Sequence, residues 1–141
     1  MDPRPQQQTA YARVLALPGV SYDTAIERVN AALADEGFGV LTEIDVQATL
    51  REKLDADFRP YVILGACNPP LAHRALQAEP QLGIMLPCNV VVQEGDEGAV
   101  VSAVDPRAMF GMIENAELEA VMMEVDQRLS RVLEAVQKAA D

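Results

Sequence analysis

The stretch from Ala116 to Lys138 constrains the fold of this chain more than any other. Leu118, Val121, Met122, Val125, Leu129, Val132, Leu133 and Val136 recur at helical spacing and draw one long apolar stripe. Asn115 stands where such a helix needs an N-cap. Glu124 and Arg128, like Glu134 and Lys138, are acid-before-base pairs at i,i+4 on the opposite surface. A stripe of this kind needs a broad apolar partner. Packing on a sheet is the simplest one, and a share in a dimer interface is the alternative.

The preceding residues supply the strands for that sheet. Tyr11 to Leu17 reads as a strand stopped by Pro18-Gly19. Ser21 caps a helix to about Glu36, ended by Gly37. Phe38 to Ile44 is a strand, and Asp45 caps a short helix to Leu54. Tyr61 to Ala66 is an apolar, central strand. Asn68 caps a third helix with Pro69 at its first position, ending near Glu79-Pro80. Leu82 to Gln93 is a long strand-like run in which Pro87 marks a bulge or a local edge. Gly95 to Gly98 forms a hairpin turn into a strand ending at Val104, and a short turn carries Met109, Phe110 and Met112. The predicted order is β-α-β-α-β-α-β-β-α. It describes an α+β domain with a single mixed or antiparallel sheet covered by helices. Residues 1–8, polar and with two prolines, are expected as a disordered lead to one domain over residues 9–140.

Composition narrows the function classes. The 141 residues carry 22 acids against 11 bases, a net charge of −11. Phosphate backbones and anionic membranes are bound through basic patches, so nucleic acid and membrane partners are disfavoured. The amino-terminal residues lack the apolar core of a signal peptide, and no run is long enough to span a bilayer. The expectation is a cytoplasmic, acidic protein whose two cysteines are reduced. With three Tyr, three Phe and no Trp, its core must be aliphatic.

Several blocks together resemble a known family. They are Phe38 to Val46, Phe58-Arg59-Pro60-Tyr61, Ile63 to Pro69, Leu86 to Val92, and Asp105-Pro106-Arg107-Ala108-Met109. In this order, over about residues 14–137, they resemble the bacterial and archaeal domain-of-unknown-function family 302. The resemblance implies a small α+β domain that commonly forms a dimer, and it implies no established catalytic activity. The family often has a lysine after the tyrosine of the Phe-Arg-Pro-Tyr block. Val62 stands there, so no role of that lysine carries over.

The chemistry-bearing residues begin with two Cys-Asn settings, Cys67-Asn68 and Cys88-Asn89. Cys67 sits between a strand and a helix start, where the helix end favours a thiolate. Cys88 shares its side of an alternating strand with Leu86, Val90 and Val92, the pattern of a core residue. Its case as a partner thiol depends on its approach to Cys67. His73, the only histidine, completes a weak Cys67, His73, Cys88 metal set whose spacing matches no compact zinc signature. It reads better as an exposed helix residue. Glu43 and Asp45 face one way at a strand end, with Asp45 the simpler helix cap. Arg59 is a candidate for an anionic ligand or for a local ion pair with Asp55 or Asp57, and Tyr61 follows it into the central strand. No phosphate-binding loop, nucleophile elbow or His-Glu-x-x-His motif is present. The expected function is therefore a small-ligand binding or sensor module, with a site near Cys67, Asn68, Cys88, Arg59 and Tyr61. A thiol-based redox or sulfur-handling enzyme using Cys67 with Cys88 is the alternative, and metal or haem binding a minor third. No cofactor is predicted.

Overall fold

A computed structural model of the chain describes residues 2–139. The expected end of the domain at residue 140 lies outside the described residues. Local capping chemistry sets most element boundaries. Strand β1 (Ala12–Pro18) is followed by α1 (Tyr22–Asp35), whose cap Ser21 accepts from the Thr24 amide. Strand β2 (Gly39–Asp45) runs directly into α2 (Val46–Leu54), capped by Asp45 through the Ala48 amide. Strand β3 (Tyr61–Cys67) leads to α3 (Pro69–Ala78), capped by Asn68. Strands β4 (Cys88–Glu94) and β5 (Gly98–Val104) form a hairpin, and α4 (Pro106–Phe110) and α5 (Ala116–Lys138) close the chain. Asn115 accepts from the Glu117 and Leu118 amides, as its position predicts.

The sheet is wholly antiparallel, in the order β1-β5-β4-β3-β2. Thus β1 and β2, joined through α1, lie at opposite edges. Its alternation sorts two faces. Val62, Leu64 and Ala66 of β3, Val90 and Val92 of β4, and Val101 and Ala103 of β5 are buried on one of them. Against this face lie α1, α3 and α5. The α5 stripe supplies Leu118, Val121, Val125, Leu129, Val132 and Val136, all buried. The stripe therefore serves packing within the chain. Arg13, on the same face at the β1 edge, donates to Ser130 and pairs with Asp126 of α5.

Among the described residues, the opposite face carries no helix of comparable length. Register places Val14, Ser102, Val91, Ile63 and Ile44 in one row across all five strands. Two expectations change. Leu82 to Met85 belongs to a 3-10 turn (Pro80–Met85), and β4 begins only at Cys88. An apolar run this short fits a strand or a turn that anchors one side chain. Here Leu82 is buried and Ile84 is exposed. Residues 2–8, expected as disordered, contain a 3-10 turn (Arg4–Gln6) that packs beside β1. The Gln8 side chain donates to the Val14 carbonyl (2.8 Å) and accepts from the Val14 amide (3.3 Å), occupying the outer edge of β1 as a strand would.

Candidate functional site

The C-terminal end of β3 is the point where the cysteines meet. Ala66 pairs with Cys88 across the β3–β4 ladder, which sets Cys67 one residue beyond it, opposite Gly39. Both thiols are free, with Cys67 half-buried and Cys88 buried. They line one cavity of about 290 Å³. Phe38, Ala66 and Cys88 come from the sheet side, Leu71, Ala72, Ala75 and Leu76 from α3, and Val121 and Val125 from α5. Phe110 and the Leu86-Pro87 segment complete the wall, with Leu41 and Gly83 also on it. Leu41 owes its position to a register shift between Val40 and Thr42, which leaves its side chain strongly exposed.

Asn68, the chief polar residue of this wall, is committed to the fold. Its Oδ1 accepts from the Leu71 amide (3.3 Å) and its Nδ2 donates to the Glu36 carbonyl (3.3 Å). The Arg128 guanidinium donates to the same carbonyl (2.8 Å), and Glu124 pairs with Arg128. Gly37, at φ 82°, lies so close that a Cβ there would stand 3.0 Å from Asn68 Nδ2. Asn68 thus ties the end of α1 to the start of α3 and shapes the cavity. The echo at Cys88-Asn89 has another meaning. Asn89 is the second residue of β4, opposite Gly65 and exposed on the other face of the sheet.

Burial, and secondarily the neighbouring Cys67, push the Cys88 thiol up from its ordinary value near 9 to about 11. At pH 7 only about one such thiol in ten thousand is ionised. Cys88 is therefore a poor attacking thiol, which weighs against the alternative of a redox or sulfur-handling enzyme using Cys67 with Cys88. The shift has a consequence for stability. A thiol whose folded value exceeds its unfolded one stabilises the fold below about pH 9, and that contribution is lost as pH rises to about 11. Stability should fall by about 2 kcal/mol over this window beyond the decline of a Cys88→Ala variant. Urea unfolding at pH 8 and pH 10.5 checks it, and parallel slopes for the two proteins would contradict it.

The remaining candidates lie elsewhere. Tyr61 opens β3 and Cys67 closes it, so the strand separates them by roughly 20 Å at 3.4 Å per residue. Arg59 and Tyr61 line a second cavity, of about 620 Å³, on the open face of the sheet. The residues expected from the sequence to form one cluster thus line two separate cavities. Asp55 and Asp57, the local acids expected to pair with Arg59, both pair with Arg51 instead. His73 is exposed on α3 and does not line the cysteine cavity. Among the described residues, no three His, Cys, Asp or Glu side chains converge as a metal site. Asp45 is spent as the α2 cap, and Glu43 is exposed on β2. Two features of the cysteine cavity escaped sequence reasoning, the Leu41 bulge and the wall contributed by α5. Both are set by pairing and packing between distant segments.

These features define a small α+β protein with a five-stranded antiparallel sheet, helices on one face and a cysteine-lined cavity at the end of the central strands. The model of the family described as "Domain of unknown function DUF302" matches residues 14–136, and the chain belongs to that family. The chain is also similar to the crystal structure of an uncharacterized conserved DUF302 protein from Bacillus stearothermophilus. That likeness has a TM-score of 0.82 and 30% identity, over 90% of this chain and 98% of the other. No curated protein matches the chain. Among the described residues, no helix is long and apolar enough to cross a membrane.

Proposed function

We propose that this chain is a small-molecule binding or sensing module whose site is the cavity beside Cys67, and that it takes a compact, mostly apolar ligand. The observation that carries this reading is the cavity itself, about 290 Å³ with a wall drawn largely from Ala, Leu, Val and Phe. Apolar cavities of about 150 Å³ admit benzene, so this volume suits a ligand near the size of two fused rings. Asn68 spends one N–H and one lone pair on the fold, so its second N–H and second lone pair join the Cys67 thiol as the polar handles. Iodoacetamide alkylation of Cys67 with and without saturating indole tests this. Occupancy should slow the reaction about tenfold or more by excluding the reagent, and an unchanged rate counts against the site. The two free thiols favour a reducing, cytoplasmic setting.

The same protein is proposed to act as a homodimer joined along β2. All seven residues of this edge strand are exposed, Val40, Leu41 and Ile44 among them. The other edge, β1, is occupied by Gln8. An exposed apolar edge is a template for pairing with a second chain, and opposed charges of one sign block it. Light scattering should give twice the chain mass for the wild type and the chain mass for Leu41→Lys/Ile44→Lys. A monomeric wild type, or a dimer that survives both lysines, contradicts this arrangement.

A further inference from the structure

We infer that the cavity on the open face of the sheet is a second binding site, selective for a ligand with a carboxylate and an apolar body, which the chain's own Asp2 occupies in competition. The site has a cationic anchor. Arg59 is half-buried, with its Cζ 4.7 Å from the centre of the Phe58 ring, and that ring packs against Tyr61 at 5.9 Å. The loop carrying this stack is pinned on both sides. Gln47 Nε2 donates to the Phe58 carbonyl (2.9 Å), and the Glu94 amide donates to the Pro60 carbonyl (3.0 Å). Arg59 is therefore presented in one orientation, with its fork of donors toward the cavity.

The Asp2 carboxylate shows which group the anchor takes. Oδ2 accepts from Arg59 (3.4 Å), while Arg4 grips both oxygens through its Nε and Nη2 (2.9 Å each). The Arg4 guanidinium, with a smaller contribution from Arg59, holds the Asp2 carboxyl well below the usual range. The Arg59 contact is long for a charge-assisted bond and uses one of five donors, so a free carboxylate has room to bind it better. Below the anchor, Val14, Val91 and Val104 form an apolar floor, with Asn89, Gln93 and Ser102 among them. The cavity, about 620 Å³, falls in the range of small-molecule sites. Its roof is the segment through Arg4, Pro5 and Gln7, fastened at Gln8 to β1. In a chain of charge −11, anion binding here depends on this local pair of guanidiniums.

The test uses para-trifluoromethylbenzoate and the corresponding neutral benzyl alcohol, followed by fluorine NMR on the full chain. The benzoate should bind and the alcohol should bind at least tenfold more weakly. Asp2→Asn should tighten the benzoate on the order of fivefold, the effect of removing one exposed competing ion pair. Arg59→Gln should abolish binding, and Cys67→Ser should leave it unchanged, which separates this site from the cavity beside Cys67. Circular dichroism of each variant verifies folding. Equal binding of benzoate and alcohol, an Asp2→Asn affinity equal to the wild type, retained binding in Arg59→Gln, or no binding by any variant overturns the inference.

Discussion

Gly65→Val is expected to destabilise the fold severely. Gly65 lies in β3 between Thr42 of β2 and Asn89 of β4. A Cβ at this position would overlap the Thr42 hydroxyl and stand 2.8 Å from Cγ of Pro87. Real side chains do not approach so closely, and the proline ring cannot rotate away. Valine adds two further methyls in the same space. The cost should be about 3 kcal/mol or more, a large part of the stability of a domain this size. Gly65→Ala meets the same two obstacles with one methyl and should lose less. Adding Thr42→Ala to it should restore part of the loss, because one of the two obstacles is then removed. Urea unfolding measures all three. A Gly65→Val protein within about 0.5 kcal/mol of the wild type would refute this packing.

Leu129→Ala should cost about 2–5 kcal/mol. Leu129 sits midway along α5, is 1% exposed and belongs to the stripe that covers the sheet. Truncation removes its transfer energy and leaves a void that α1 and the strands cannot fully close. Met123, on the same helix, is 59% exposed, so Met123→Ala should change stability by no more than about 0.5 kcal/mol. The contrast isolates loss of packing, because alanine does not lower helix propensity at either position. Similar midpoints for both would mean that α5 does not lie on the sheet as described.

Where a local signal determines structure, the sequence was a good guide. The caps Ser21, Asp45, Asn68 and Asn115 all accept amides at the helix starts they predict. The α5 stripe buries the residues its periodicity selects, apart from the half-buried Met122 and Leu133 at its margin. Gly37 takes the positive φ expected at the end of α1. What stayed illegible depends on contacts between distant segments. The strand order puts β1 beside β5 and β2 beside β3, and no residue pattern within a strand names its neighbour. The 3-10 turn at Pro80–Met85 was hidden because its apolar residues equally suit a strand. The leading residues were read as disordered since their composition is polar. Their order rests on Gln8 reaching Val14 and Asp2 reaching Arg59, 57 positions away.

The candidate site divides in the same way. Cys67 and Asn68 were placed correctly at a strand-to-helix junction, which capping chemistry makes readable. Cys88 was recognisable as a core residue, but its position beside Cys67 follows from the β3–β4 register alone. Arg59 and Tyr61 looked close to Cys67 in sequence because a seven-residue strand is short on paper. Extended, it places them at the other end, where Arg59 and Tyr61 line the cavity on the open face.

Indole is expected to bind in the cavity enclosed by α3, α5 and the ends of β3 and β4. Amide-resolved NMR titration with indole, on the wild type and on Ala72→Phe, tests it most directly. Ala72 lines the cavity and is only half-buried, so phenylalanine can fill the space from α3 without entering the sheet core. The expected result is a set of saturable shifts concentrated at Cys67, Leu71, Ala75, Leu76, Cys88 and Val121 in the wild type, and absent from a folded Ala72→Phe. Shifts that persist in Ala72→Phe, or no shifts at these residues in the wild type, would contradict the account.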